Sequence, residues 1–193
     1  FRLLPALLLL AAPALAEGRD QLEAPVFSEV IVLDMPKGVI ETLLRDGENP
    51  DFRVIETAGP DQTAANWTRR LTINAFRGRA GEGAVASVPR ILTASRARCR
   101  GEFASREIGT VRWGGHRAAG AISSCTRDDT NGRLRSENAA IWVVEGVKDL
   151  YIFRLAEAFP PDDPGNARDA AYWDRVAQIL GRGLSFRPNP AAK

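Results

Sequence analysis

One histidine, His116, serves the whole chain of 193 residues. A metal centre built on several imidazoles is therefore excluded, and a serine or cysteine nucleophile has no choice of imidazole base. No Walker-type loop, G-x-G-x-x-G turn or G-x-S-x-G elbow occurs, so the common phosphate cradles and the hydrolase elbow are missing too. Lysine is scarce: Lys37, Lys148 and Lys193 stand among 26 basic residues, and the rest are arginine. With abundant alanine and glycine, that bias fits a GC-rich bacterial genome. It weakens any argument that each arginine was selected for its planar fork. After residue 16 no segment approaches the roughly 18 continuous apolar residues of a membrane-spanning helix.

What is present begins with "FRLLPALLLLAAPALA", where Arg2 precedes an apolar run that ends in small residues at Ala14 and Ala16. This reads as a secretory signal, residues 1–16, with cleavage after Ala16 and a single domain over residues 17–193. A periplasmic or secreted location follows, with no membrane span after cleavage. No cysteine follows the apolar run, so nothing supports lipid attachment there. In an oxidising compartment the two cysteines, Cys99 and Cys125, are expected to pair. Closing that loop would contribute roughly 3 to 4 kcal/mol in the chain-entropy picture.

Periodicity organises the rest. "VFSEVIVLD" (26–34) suits a strand, and "PKGVIETLLRDG" (36–47), with proline first and glycine last, reads as a short helix. "DFRVIETAG" gives a second strand, with Phe52, Val54 and Glu56 on one face. In "NWTRRLTINAF", Leu71, Ile73 and Ala75 share one face, and Arg70, Thr72, Asn74 and Phe76 share the other. That run is a strand behind an anchoring Trp67. Asn66-Trp67-Thr68 is formally a glycan sequon, a modification a bacterium would normally leave unused.

"SVPRILTASRARCRG" (87–101) predicts a helix capped by Ser87, with Pro89 in its first turn. Its apolar face of Val88, Ile91, Leu92, Ser95 and Cys99 turns Cys99 toward Cys125 at the end of "RAAGAISSC". Four strand candidates then follow: "REIGTVRWG", "HRAAGAISSC", "SENAAIWVVEG" and "KDLYIFRLAEAF". Turns at Gly114-Gly115, Asn131-Gly132 and Gly146 separate them, as in an antiparallel meander. A last helix carries Ala170, Trp173, Val176, Ala177 and Leu180 on one stripe. The expected fold class is α+β: an antiparallel sheet of about six strands with helices packed on it.

This order of elements resembles the PsbP-like α+β sandwich, the fold of a photosystem accessory protein and of bacterial envelope proteins such as DcrB. The turn before "NWTRRLT", the helix ending at Cys99, the strand ending at Cys125 and "DLYIFRLAEAF" also resemble a group of uncharacterised exported proteobacterial proteins. The resemblance implies a fold and an envelope setting. It brings no catalytic residues.

Charge is unevenly spread. Residues 17–68 hold 11 acids against 4 bases, residues 69–135 hold 5 against 14, and residues 136–193 hold 8 against 7. The basic middle could form a patch for an anionic envelope component or an acidic protein partner, or the acidic first third could fold over it and neutralise it. The candidate binding patch is Arg69, Arg70, Arg96 and Arg100, the last two spaced i, i+4 on one helix face. Nucleic acid is not an expected partner of an exported chain. No cofactor and no metal site are expected either. "RDDTNGRLRSE" (127–137) resembles a calcium loop only in part, because Arg127 and Asn138 stand where its essential carboxylates belong. His116 reads as an exposed turn residue, and Trp113 beside the same glycines as a possible surface contact.

The reading is thus a periplasmic, non-catalytic accessory or binding protein. The competing class is an envelope polysaccharide hydrolase using a carboxylate pair drawn from Asp128-Asp129, Asp162-Asp163 or Glu56.

Overall fold

The computed structural model describes residues 19–130 and 133–192, so the leader segment and the Asn131-Gly132 turn lie outside the described residues. Among the described residues ten strands form two antiparallel sheets, accompanied by two α-helices. A hairpin opens the described chain, β1 (Arg19–Val26) and β2 (Glu29–Pro36), where a single strand over 26–34 was expected. It turns at Phe27, whose backbone is left-handed with φ 51°. The helix expected over 36–47 is instead a turn followed by β3 (Thr42–Asn49). Gly38, at φ +85°, reverses the chain there, and the four apolar positions divide. Val39 and Ile40 enter the core from the turn, while Leu43 is left exposed on an edge strand.

Strands β4 (Phe52–Ala58) and β5 (Arg69–Phe76) follow, then β6 (Phe103–Trp113), β7 (His116–Thr130), β8 (Arg133–Glu145) and β9 (Leu150–Phe159). The large sheet runs β3-β4-β5-β9-β8-β7-β6, seven strands rather than about six, and β5 meets β9 in its centre. The small sheet is β1-β2 joined by β10 (Leu184–Pro188), a strand that the short "LSFRP" gave little sign of.

The sheets face each other with α2 (Ala170–Arg182) across one layer. Ile31 and Leu33 of β2, Ile73 of β5, Phe153 of β9 and Trp173 of α2 share one core. Asp169 caps α2 by accepting from the Tyr172 N–H, and Trp173, Val176, Ala177 and Leu180 are its buried stripe. Ala170, expected on that stripe, is exposed. The other face of the large sheet is covered only in part, by α1 (Ala84–Arg98), through Ala84 and Val88 against Ala119, Ala121 and Val143. The described residues are therefore sheet-dominated, with two α-helices and one short 3-10 turn (Ala80–Glu82) beside ten strands.

Helix α1 starts three residues before the expected Ser87 cap, with Gly83 as N-cap. Ser87 lies within the first turns, its hydroxyl donating 2.8 Å to the Gly83 carbonyl. The cap comes from far along the chain: Glu145 Oε1 accepts from the Ala84 N–H at 2.6 Å. A carboxylate there also complements the helix dipole.

Trp113 is a packing residue, which corrects its reading as a surface contact. Its ring lies 4.4 Å from that of Trp142, and a Cβ on Gly181 would meet its indole at 2.0 Å. Gly181→Ala should therefore cost about 1 to 3 kcal/mol through overpacking, read as a lower thermal midpoint. An unchanged midpoint would mean that the Trp113 ring moves aside freely.

Candidate functional site

The exposed half of the large sheet, beside α1, holds an open groove of about 390 Å³. Because β-strand side chains alternate, β5 sends Leu71, Ile73 and Ala75 into the core and Arg70, Thr72 and Asn74 into this groove. Strand β4 adds Phe52, Val54 and Glu56 on the same face, as its pattern suggested. Four arginines line the groove, Arg45, Arg70, Arg98 and Arg154, against the carboxylates Glu56, Asp129 and Glu137.

Three of these groups are deeply placed. Arg70 is 7% exposed and pairs with Glu56 at 3.6 Å, while Arg154 and Glu137 form a close ion pair with side-chain exposures of 16% and 3%. Pairing is incomplete. The Nε of Arg70, the Nε of Arg154 and the Oε2 of Glu137 are buried with no hydrogen-bond partner among the described residues.

Trp67, 3% exposed, does not line the groove but packs beside it against Arg70. The Arg70 guanidinium lies 4.3 Å and that of Arg135 4.8 Å from its ring centroid, so two cations share one aromatic. Burial lowers the proton affinity of Arg70, and Glu56 and Asp128 offset this only in part. Burial comes first for Arg135 as well, followed by the charges of Arg70 and Arg133. Arg154 is pushed down to about 10 by burial and then by the charge of Arg70, with Arg98 adding to it. Arg70 and Arg154 therefore hold their charge at a cost that an incoming anion would lower.

The expected patch is not brought together as one surface. Arg69 and Arg70 alternate to opposite faces of β5: Arg69 lies on the core side, ion-paired with Glu157 and bonded to the Tyr172 hydroxyl at 3.2 Å. Arg96 is exposed on α1, 5.9 Å from the Phe103 ring. Helix α1 ends at Arg98, so Arg100 lies beyond it and pairs with Asp129. Of the four, only Arg70 lines the groove; Arg45, Arg98 and Arg154 were missed. A signal for Arg154 existed, a charge between Phe153 and Leu155 in a strand whose only other charged residue is Glu157.

Charge neutralisation also takes another route than expected. The basic middle draws partners from the last third, in the pairs Arg69–Glu157, Arg106–Asp174 and Arg127–Asp162. The acidic first third contributes Glu56 to Arg70.

His116 is half-buried rather than an exposed turn residue. Its Nε2 is 3.1 Å from Glu29 Oε1, its Nδ1 3.0 Å from the Glu145 carbonyl, and its ring packs edge-on against Phe186 at 4.8 Å. It thus joins β7 to the central strand β2 and the edge strand β10 of the small sheet.

The acids proposed for hydrolysis are placed as follows. Glu56 faces Arg70 and Asp129 faces Arg100; Asp128 is buried beside the isolated bridge to Cys99. Asp162 pairs with Arg127, whose hydrogen bonds hold it below the usual carboxylate range, and Asp163 caps the Gly165 N–H. A general acid needs the opposite, a carboxyl kept protonated. Among the described residues no three His, Cys, Asp or Glu side chains converge as a metal centre.

Glu157 gives a pH-dependent test of the core-side cluster. Burial pushes its carboxyl up, but hydrogen bonds from Tyr172, Asn166 and Arg69 outweigh this and hold it below its ordinary 4.5. A lowered folded value means that its contribution is complete above about pH 4.5 and is lost as pH falls through the folded value. Glu157→Gln should cost about 1 to 3 kcal/mol at pH 7, with the gap to wild type narrowing below pH 4 in thermal melts. A gap that widened in acid would contradict the assignment.

Comparison with solved structures finds fold-level likeness. The chain is similar to the yeast Ran-binding protein Mog1p, at 8% identity and TM-score 0.52 over 87% of this chain and 96% of that one. It also matches LpqN of Mycobacterium tuberculosis, described as involved in cell envelope biogenesis, at 15% identity and TM-score 0.46, covering 88% and 92%. Cyanobacterial PsbP from Synechocystis matches at 14% identity and TM-score 0.41, covering 86% and 95%. The neighbours thus include a PsbP, as the order of elements suggested, and what the Mog1p likeness establishes is the fold alone. No protein-family model and no curated protein matches the chain.

Proposed function

We propose that this PsbP-like sandwich is a periplasmic, non-catalytic accessory protein that holds an acidic segment of an envelope protein in its arginine groove. One observation carries the reading: four arginines line an open groove in which the Nε donors of Arg70 and Arg154 lack partners among the described residues. The leader-like "FRLLPALLLLAAPALA" and the Cys99–Cys125 bond support an exported setting. An acidic protein segment fits better than a uniform polyanion, because Glu56, Asp129 and Glu137 would repel every repeat of such a polymer but can accept from a peptide's donors.

A photo-crosslinking residue placed at Arg45 or at Arg98, in the native host, tests this. One protein adduct is expected from both positions and none from Val147, an exposed control at 72%. Arg45→Glu with Arg98→Glu should abolish recovery of that partner while leaving the thermal midpoint within a few degrees. Equal adducts from Val147, or adducts to glycan or lipid alone, would overturn the reading.

A further inference from the structure

The second concavity lies on the opposite side of the large sheet. Leu155, next to Arg154 on β9, points the other way and forms the floor of a cavity of about 200 Å³ between β2, the turn after it and α2. Met35, Val39 and Val176 complete that floor, all buried, and Ile179 stands at the mouth 40% exposed. The lining is almost wholly apolar except at the rim, where Arg69 and Arg175 stand. Arg69 is committed to Glu157 and Tyr172. Arg175 is exposed and has no ion-pair partner among the described residues.

Two facts select the occupant. An enclosed apolar cavity of about 150 Å³ admits a benzene ring, so this half-open concavity of about 200 Å³ has room for a ring or a short acyl chain, and its apolar floor offers a polar group few partners. A partner-free guanidinium at the mouth favours a single negative charge at the outer end of that apolar body. From this geometry we infer a binding site for a small amphiphilic carboxylate, its apolar body among Met35, Val39, Leu155 and Val176 and its carboxylate at Arg175. The site is independent of the arginine groove, since the large sheet stands between them.

Calorimetric titration of the oxidised protein with octanoate, butanoate and 1-octanol, paired with amide NMR, tests the inference. Octanoate is expected to bind with a Kd on the order of 1 mM, the scale such a small ligand reaches. Butanoate should bind at least about tenfold more weakly, having lost four buried methylenes. Arg175→Glu should weaken octanoate about tenfold and leave 1-octanol unchanged, because it reverses the charge beside the carboxylate. Ile179→Glu, also at an exposed position, should weaken both, and NMR shifts should centre on Val39, Leu155 and Ile179. Octanoate binding no better than 1-octanol, insensitivity to both substitutions, or shifts centred on Arg70 and Arg98 would each overturn the site.

Discussion

Replacing Cys99 and Cys125 together by serine is expected to lower the unfolding free energy by roughly 3 to 4 kcal/mol. The disulfide closes a sequence separation of 26 residues with a Cα–Cα distance of 5.7 Å, so the unfolded chain loses the entropy of a loop that long. For a domain of this size the thermal midpoint should fall by about 10 °C. Around the bond the backbone is already joined: the Arg100 N–H donates to the Arg127 carbonyl at 2.8 Å, and Cys99 bridges Asp128. Those contacts are weak against fraying once the covalent link is gone. The neighbours of the two cysteines are groove residues, Arg98 before Cys99 and Asp129 four after Cys125. Loosening should thus begin at the C-terminal end of α1 and reach the groove first. Urea unfolding of both forms measures the loss, and hydrogen exchange at residues 96–100 locates it. A loss below about 1 kcal/mol would mean that residual structure already restrains this loop in the reduced, unfolded chain.

Elements with a strong local period were legible, and elements defined by distant partners were not. Strand β5 could be read because alternation from Leu71 to Ala75 admits one register, and α2 because Trp173, Val176, Ala177 and Leu180 fall on one stripe. The stretch 36–47 failed because its apolar residues satisfy a helical period as well as a turn-and-strand reading, and only packing against β4 decides. The start of α1 failed because its cap is Glu145, 61 residues away. Strand β10 was invisible for the same reason, since five residues become a strand only where β2 offers an open edge.

The candidate site divides in the same way. Alternation already put Arg70 on the face opposite Leu71, yet proximity in sequence grouped it with Arg69, which the same alternation separates from it. Arg45, Arg98, Glu137 and Arg154 come from β3, α1, β8 and β9, and their meeting is a product of the strand order, which sequence spacing does not contain.

The pair Arg154–Glu137 at the floor of that groove carries the last large effect. Glu137→Leu should cost about 3 to 5 kcal/mol, because it leaves a buried guanidinium facing Arg70 and Arg98 without its carboxylate. Arg154→Met alone should cost a similar amount by stranding Glu137, which is already short of one partner at Oε2. The double variant, Glu137→Leu with Arg154→Met, should recover most of the loss, since apolar residues of similar volume carry no desolvation cost. Additive losses in a urea double-mutant cycle would show that the two groups act independently. The double variant also separates stability from recognition. A fold restored to within about 1 kcal/mol of wild type, with recovery of the crosslinked partner still lost, would place Arg154 in binding. Partner recovery that returned with stability would make the buried pair a structural element and leave recognition to Arg45, Arg70 and Arg98.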